Sequence, residues 1–533
     1  MRLSSITPSR PLFLTCLCIC LLSIQIPVWL PNTLPFTDYP VHLSLIQAID
    51  LSANTPATLK NNFETHWFSP YSVTYLLGRS MTLLFSVETI GRILLGTYLL
   101  LTPLLFFRFM RSIGKPPYLA FPICLLLFNF NMSWGFLSFL TAIPLVIESS
   151  TQSYLYLKKA SWKQGLFLSC LFVLLFFTHI FALILGLGFL LCSFIAGLIV
   201  DKKIFSASLI PFVSLPAVIL AVIWRFTLVL TKNDFYFLDK GVRYASLMTK
   251  IKYFPDYCIS GDSGNTYRVI FACLVAMILL KFLPSPSNND KRKHVKMSDI
   301  ASNANLRINR LENLYGQFCF IVIVVIYLVC PYSWLTAVWL FNRVAFLVPV
   351  YSLALLPRSS RLHPALFILG TTVLCIGLSF YTLHCYKSFS DEARKGRDII
   401  RLIPAEKSLS YAAFDNRSVF ADHEPYLHFG QYYQLDKNGS VYNPFATLAH
   451  IPIRYTPEYM AMESRFLTEQ ILKNNQITVD LEFDRSDYFL FRTHELESRK
   501  NLIQRLFPNS HESIVTVSYD DKWLLLNKTG GAN

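Results

Sequence analysis

Asp38 and His42 stand four residues apart in Leu34-Pro35-Phe36-Thr37-Asp38-Tyr39-Pro40-Val41-His42. A carboxylate can take the proton of a hydroxyl, and an imidazole beside it can orient that hydroxyl or share the charge. On a helix starting at Asp38 the two groups lie one turn apart on one face, so they can serve one site. The same residues have a plainer use. Thr37 or Asp38 suits an N-cap and Pro40 a first helical turn, which would spend the carboxylate on the helix end. The 19 residues before this stretch, 12–30, are apolar and as a helix would span about 28 Å, enough to cross a bilayer core. An acid and an imidazole placed where a chain leaves the membrane are costly beside lipid and cheap beside a water-filled cavity.

Other residues offer related chemistry. Glu64 and His66, in Phe63-Glu64-Thr65-His66-Trp67-Phe68, are a second acid–imidazole pair flanked by aromatics. Asn129, Asn131 and Trp134 fall in Asn129-Phe130-Asn131-Met132-Ser133-Trp134-Gly135-Phe136, where the amides could bind substrate or only cap a hairpin. His179 lies between two apolar runs, as a site residue or a hydrogen-bonded turn. Arg343 in Trp339-Leu340-Phe341-Asn342-Arg343-Val344 can bind an anion, since a guanidinium presents a forked set of donors to phosphate oxygens, or can snorkel to lipid headgroups. Arg243, in an expected outer loop at 231–265, is a second cation for the same purpose.

The elements that must position these groups are membrane helices. The chain is 53% hydrophobic with 44 Phe among its 533 residues, and only 15% of it is charged. That composition is a polytopic membrane protein's. From Lys387 onward there are 18 basic and 20 acidic residues, against 30 basic and 13 acidic before it. The basic excess therefore sits in the membrane part and reads as loops held in the cytoplasm, not as nucleic-acid binding. All 12 cysteines lie at or before Cys385 and none has CxxC spacing, so neither a disulfide-held tail nor a metal is indicated. Arg2 and Arg10 before the first apolar run imitate a signal peptide, but the run is long and no small-x-small cleavage site follows, which predicts an uncleaved anchor.

Apolar segments at 12–30, 88–108, 117–130, 135–157, 164–181, 182–200, 204–230, 266–283, 315–330, 335–357 and 362–385 predict about 11 transmembrane helices. Residues 38–87 are too polar for plain spans. They predict interfacial helices in a first outer loop, with His42, Leu45, Ile46 and Ile49 on one face and Arg79 inside a half-inserted segment. With that loop outside, the intervening cytoplasmic loops are all basic, the most basic being 284–314 with Lys291-Arg292-Lys293 and Lys296. The N-terminus is then cytoplasmic, and the polar residues above collect on the outer side. The remaining 386–533 read as an extracytoplasmic α/β domain: a helix at 391–403, strands at 408–414 and 488–491, helices at 460–474 and 497–507, and a closing hairpin at 514–519 and 523–527. It carries no nucleophile elbow, phosphate-binding glycine loop or metal cluster, so recognition suits it better than catalysis.

This plan resembles the GT-C superfamily of integral-membrane glycosyltransferases, of the protein O-mannosyltransferase and aminoarabinose transferase kind. The features that carry the likeness are the Thr37-Asp38-Tyr39-Pro40-Val41-His42 motif after the first span, the interfacial helices behind it, the Asn129–Phe136 motif, the outer loop after the seventh span and the outer α/β domain. The resemblance implies that Asp38 is the catalytic base; the residues themselves suggest His42 beside it, Arg343 and Arg243 on the donor phosphate, and Glu64, His66, Asn129, Asn131, Trp134 and His179 along the substrate. It implies a polyprenyl-phosphate-linked sugar as donor, a glycan, lipid or protein as acceptor, and inversion at the anomeric carbon. Two departures bear against metal dependence: the first motif has no second adjacent acid, and asparagines stand where many relatives have an acid in the second outer loop.

Two other readings fit a chain of this composition. A transporter or lipid flippase usually shows internal repeats and charges near mid-membrane, and neither occurs here. A non-catalytic envelope assembly protein would leave Asp38 and Arg343 dispensable. In the absence of a eukaryotic targeting signal, the expected location is a bacterial inner membrane with the tail in the periplasm.

Overall fold

The computed structural model describes residues 9–52, 55–201, 211–230, 241–260, 265–283, 299–334, 337–357, 362–448, 450–462, 486–493, 503–504, 506–507, 514–520 and 522–528. The chain divides into two compact units, each assembled from separated segments: Met1–Leu30, Leu94–Met132 and Ser138–His384 in one, and Pro31–Ile93, Ser133–Leu137 and Cys385–Asn533 in the other.

Among the described residues, five helices are long and apolar enough to cross a membrane: Arg10–Trp29, Val87–Ser112, Ile180–Val200, Arg307–Val329 and Pro364–Arg401. Shorter apolar helices cover Trp162–Thr178, Phe212–Thr227 and Leu340–Leu355. Two expected spans take another form. Over 117–130 the chain makes a buried 3₁₀ run, Pro117–Leu126. At about 2 Å per residue this reaches roughly 20 Å, short of a bilayer core of about 30 Å. Pro122, inside the run, removes an N–H that an α-helix would use. The expected span at 335–357 begins later and is broken, as Leu340–Ala345, Leu347–Ser352 and a 3₁₀ turn at Leu353–Leu355. It is preceded by a hairpin pairing Ser333–Trp334 with Ala337–Val338. Much of the expected basic loop at 284–314 is helical, since one helix runs Asp299–Val329; residues 284–298 lie outside the described residues. A buried lysine closes that helix. Lys250 Nζ donates to the carbonyls of Tyr327, Leu328 and Cys330 at 3.2, 2.7 and 2.7 Å, satisfying groups that a helix end leaves unpaired.

The second unit is built on a five-stranded sheet. Its central strand, Tyr488–Arg492, is parallel to Ser408–Ala413 and antiparallel to Trp523–Lys528. Ser440–Val441 adds in parallel beyond the first neighbour, and Ile514–Tyr519 closes the other edge as the expected hairpin. The expected helix at 391–403 is the end of the long helix Pro364–Arg401. Of the helix expected at 460–474 only Pro457–Met462 is described, and most of 497–507 also lies outside the described residues. One sheet face packs Ile400, Tyr411, Tyr426, Phe429 and Trp523, and the other Phe489, Phe491, Phe507 and Leu524. Arg492, 1% exposed, is neutralised by Glu392 and Asp415 at 3.1 and 2.8 Å and stacked 3.7 Å from the Tyr426 ring.

Segment 31–93 belongs to this unit through strand pairing and helix burial. Phe63–Thr65 runs antiparallel to Ile453–Tyr455. The helix Tyr39–Ala48 is buried at all ten positions, where an interfacial helix would show a polar face. Its carbonyls find partners in the tail: Gln434 Nε2 donates to Ser44 O at 2.7 Å, and Asn443 Nδ2 to Val41 O at 3.1 Å. By contrast, Ser72–Met81 is amphipathic and exposes Leu76 and Leu77.

Candidate functional site

Asp38 is the residue at the head of the buried helix Tyr39–Ala48, with Pro40 in its first turn. Its side chain makes no capping hydrogen bond. The helix end is held by other means. Asp38 N donates to Trp134 O at 2.8 Å and Thr37 N to Ser133 O at 3.4 Å, so segment 133–137 cradles the turn. That approach requires Gly135. Its φ is +73°, and a Cβ there would lie 2.8 Å from Tyr39 N. From the tail, His423 Nε2 makes a short hydrogen bond to Pro35 O. The turn is therefore held by backbone contacts on both sides, and the carboxylate is not used to cap its helix.

Around Asp38, 7% exposed, stand three groups of this unit. His42, 4% exposed, shares a 2.7 Å hydrogen bond between Nδ1 and the Tyr75 hydroxyl. His428 Nε2 is 3.6 Å from Asp38 Oδ1. Phe445 packs edge-on against both imidazoles, at 5.1 and 6.4 Å between ring centroids. Burial pulls the His428 pKa down to about 4, so its ring is neutral at pH 7 and the contact with Asp38 is proximity, not an ion pair. Burial, then Tyr71 and Asp38, push the Tyr75 hydroxyl well above its ordinary value, which keeps it a proton donor. His428, Tyr75 and Phe445 carry no motif that sequence reasoning could have used.

Glu64 and His66 face solvent on the strand Phe63–Thr65 and its end, bonded to each other at 2.8 Å. Trp134 contributes its carbonyl to the Asp38 turn, and its ring stacks on Phe136 at 6.1 Å.

The first unit holds the second group of expected residues. Arg343, 9% exposed, lies on the helix Leu340–Ala345. Its Nη1 is 3.1 Å from His179 Nε2, its Nη2 donates to Val338 O at 3.4 Å, and the Phe139 ring is 5.9 Å away. His179 is the extended residue that closes the helix Trp162–Thr178. Its Nδ1 accepts from Phe181 N at 3.1 Å. Guanidinium and amide both offer only donors, and a neutral imidazole has one acceptor nitrogen, so the ring cannot satisfy both. Asn131 Nδ2 donates to Arg343 O at 3.1 Å and so fixes the arginine's backbone. Asn129 is committed locally: its Nδ2 faces Tyr98 Oη, Leu126 O and Leu127 O, and its Oδ1 accepts from Asn131. Arg243 exposes its side chain and bridges Ser333 through its backbone, tying it to the hairpin that precedes Arg343. Among the described residues, no group of three or more His, Cys, Asp or Glu could hold a metal ion.

No family model matches the chain, and no curated protein matches it. Among solved structures it is similar to the crystal structure of ArnT from Cupriavidus metallidurans bound to undecaprenyl phosphate. The TM-score is 0.51 at 9% identity, over 98% of this chain and 98% of that one. The fold expected from the motifs is thus the fold found, in an integral membrane protein with a sheet-containing tail.

Proposed function

We propose that this chain is a membrane glycosyltransferase that moves a sugar from a polyprenyl-phosphate donor to an extracytoplasmic acceptor, with Asp38 as the base. The observation that carries the reading is the state of Asp38: a buried carboxylate, held by its backbone and not spent on capping its helix. The fold shared with a protein captured with undecaprenyl phosphate supports a donor of that class.

In the proposed reaction the acceptor hydroxyl gives its proton to Asp38 while its oxygen attacks the anomeric carbon. The bond from that carbon to the phosphate oxygen breaks, its electron pair leaves with the lipid phosphate, and the configuration inverts. His42, aligned by Tyr75, orients the acceptor. Neutral His428 adds no competing positive charge beside the base. Arg343 takes the leaving phosphate, with Arg243 as a second cation. An arriving phosphate oxygen would accept from the guanidinium in a charge-assisted hydrogen bond. Metal is not needed in this scheme. The cell context that fits is a bacterial inner membrane, with the N-terminus cytoplasmic and the tail periplasmic.

The test is Asp38→Asn, which keeps the volume and removes the base. We expect normal expression and thermal stability but loss of one surface glycan, at least 100-fold in transfer rate. Arg343→Lys should weaken undecaprenyl-phosphate binding measured by native mass spectrometry. An unchanged glycan profile in a folded Asp38→Asn protein would instead favour the assembly reading.

A further inference from the structure

The tail carries no catalytic motif, yet it sets an imidazole beside Asp38. His428 lies on a turn whose backbone is pinned on both sides. Tyr426 N donates to Asn416 O at 3.2 Å, the Tyr411 hydroxyl donates to Tyr426 O at 2.5 Å, and Gln431 N donates to His428 O at 3.1 Å. The helix that follows, Gln431–Lys437, docks on the helix Tyr39–Ala48 through the bond from Gln434 Nε2 to Ser44 O. The ring is placed by packing, edge-on to Phe445.

A neutral imidazole has one N–H to give and one lone pair to fill. Among the described residues, neither ring nitrogen of His428 has a hydrogen-bond partner. His42 and His423 differ in this, since each bonds through a ring nitrogen. Burying a polar group without a partner costs about 1–3 kcal/mol, so packing alone gives no reason for a histidine here. Nor is the ring sealed off: its side chain is 13% exposed, and that of Asp38 10%.

The spacing to Asp38 supplies a reason. Nε2 and Asp38 Oδ1 are 3.6 Å apart, too far for a hydrogen bond between them. One oxygen about 2.7 Å from the carboxylate and about 3.0 Å from the nitrogen meets both at once. A hydroxyl placed there points its proton at Asp38 and one lone pair at an Nε2–H. Its other lone pair is left to attack, in a fixed direction. Burial holds the ring's pKa at about 4, so it donates as a neutral group, where an imidazolium would draw electron density from the nucleophile.

We propose that His428 is a catalytic residue supplied by the tail, donating its Nε2–H to the oxygen of the acceptor hydroxyl while that hydroxyl gives its proton to Asp38. That role presupposes the transfer reaction proposed above and leaves its balance unchanged: one proton passes from acceptor to Asp38, and His428 keeps its own throughout.

The test uses the full-length protein, and its readout in cells is the surface glycan that Asp38→Asn removes. His428→Phe fills the space without a donor and should lower that glycan at least about tenfold. His428→Gln, whose amide nitrogen can stand in for Nε2–H, should retain most of it. Both variants should keep the wild-type melting temperature at pH 7 and retain undecaprenyl phosphate in native mass spectrometry as wild type does. In the wild-type protein, diethyl pyrocarbonate should modify His428 faster than His423, whose Nε2 is bonded to Pro35 O, as read by peptide mass spectrometry. A wild-type glycan level in folded His428→Phe, equal loss in the Phe and Gln variants, or slower labelling of His428 than of His423 would overturn the inference and leave Asp38 as the base. A normal glycan profile in folded Asp38→Asn would overturn the transfer reaction beneath it.

Discussion

His428 sets a pH dependence that can be measured without knowing the substrate. Its unfolded pKa is near 6.5 and its folded pKa about 4, because burial disfavours the cation more strongly than Asp38 at 3.6 Å favours it. Below pH 6.5 the unfolded chain therefore binds a proton that the native state refuses. The stability from this residue is complete above about pH 6.5 and is lost as pH falls toward 4, by up to about 3 kcal/mol. The expected outcome is that His428→Gln narrows the difference in thermal unfolding between pH 7 and pH 4.5, measured in one detergent. Identical pH profiles for variant and wild type would mean that the ring is not held neutral by burial. Residues of this kind are the least legible from sequence. Asp38 and His42 were found because helical spacing puts them together, whereas Tyr75 and His428 reach the same spot from 33 and 390 residues away along the chain.

Single turns decide whether the helix Tyr39–Ala48 presents its carboxylate or spends it. The sequence allowed both uses of Asp38. Segment 133–137 takes the N–H groups of Thr37 and Asp38 and so fixes the turn ahead of the helix, and Pro40 in the first turn offers no N–H for the side chain to cap. Gly135→Ala puts a Cβ 2.8 Å from Tyr39 N at a positive φ, a strain of about 1–3 kcal/mol delivered to the turn that aims the base. We expect a modest fall in melting temperature and a much larger fall in transfer, at least tenfold, since small displacements of a reacting group are expensive. Gly377→Ala, where an added Cβ meets nothing within 4 Å, is the matched control and should change neither. Elements were legible where pattern and propensity agreed: the strand at 488–491 lies where a continuous apolar run placed it, and the closing hairpin where two strand-like runs are split by Asp520-Asp521-Lys522. They were not legible where proline chemistry overrode hydropathy, as in the 3₁₀ run Pro117–Leu126.

Across the whole molecule, the unit carrying Asp38 is closed by contacts between sequence-distant segments. Gln47 meets Asn438, Gln434 meets Ser44, and Phe63–Thr65 pairs with Ile453–Tyr455, at separations near 390 residues. Closing a loop of that length costs about 5 kcal/mol once, and the contacts that follow share that cost. Hydropathy could assign 38–87 only to the surface of a membrane, because nothing local in that segment reveals that the helix Tyr39–Ala48 is buried on all its faces. A chain ended after Pro404 removes His428, Gln434, Asn443 and Phe445 and uncovers the helix Tyr39–Ala48, whose ten residues are all buried in the full-length protein. The expectation is that such a chain still inserts in the membrane but exposes 31–93 to protease. Trypsin should cut at Lys60 and Arg79 within minutes, while the full-length protein resists on the same timescale. Undiminished protection of those two sites in the shortened protein would show that the first segment folds without the tail, and the base would then be positioned by segment 133–137 alone.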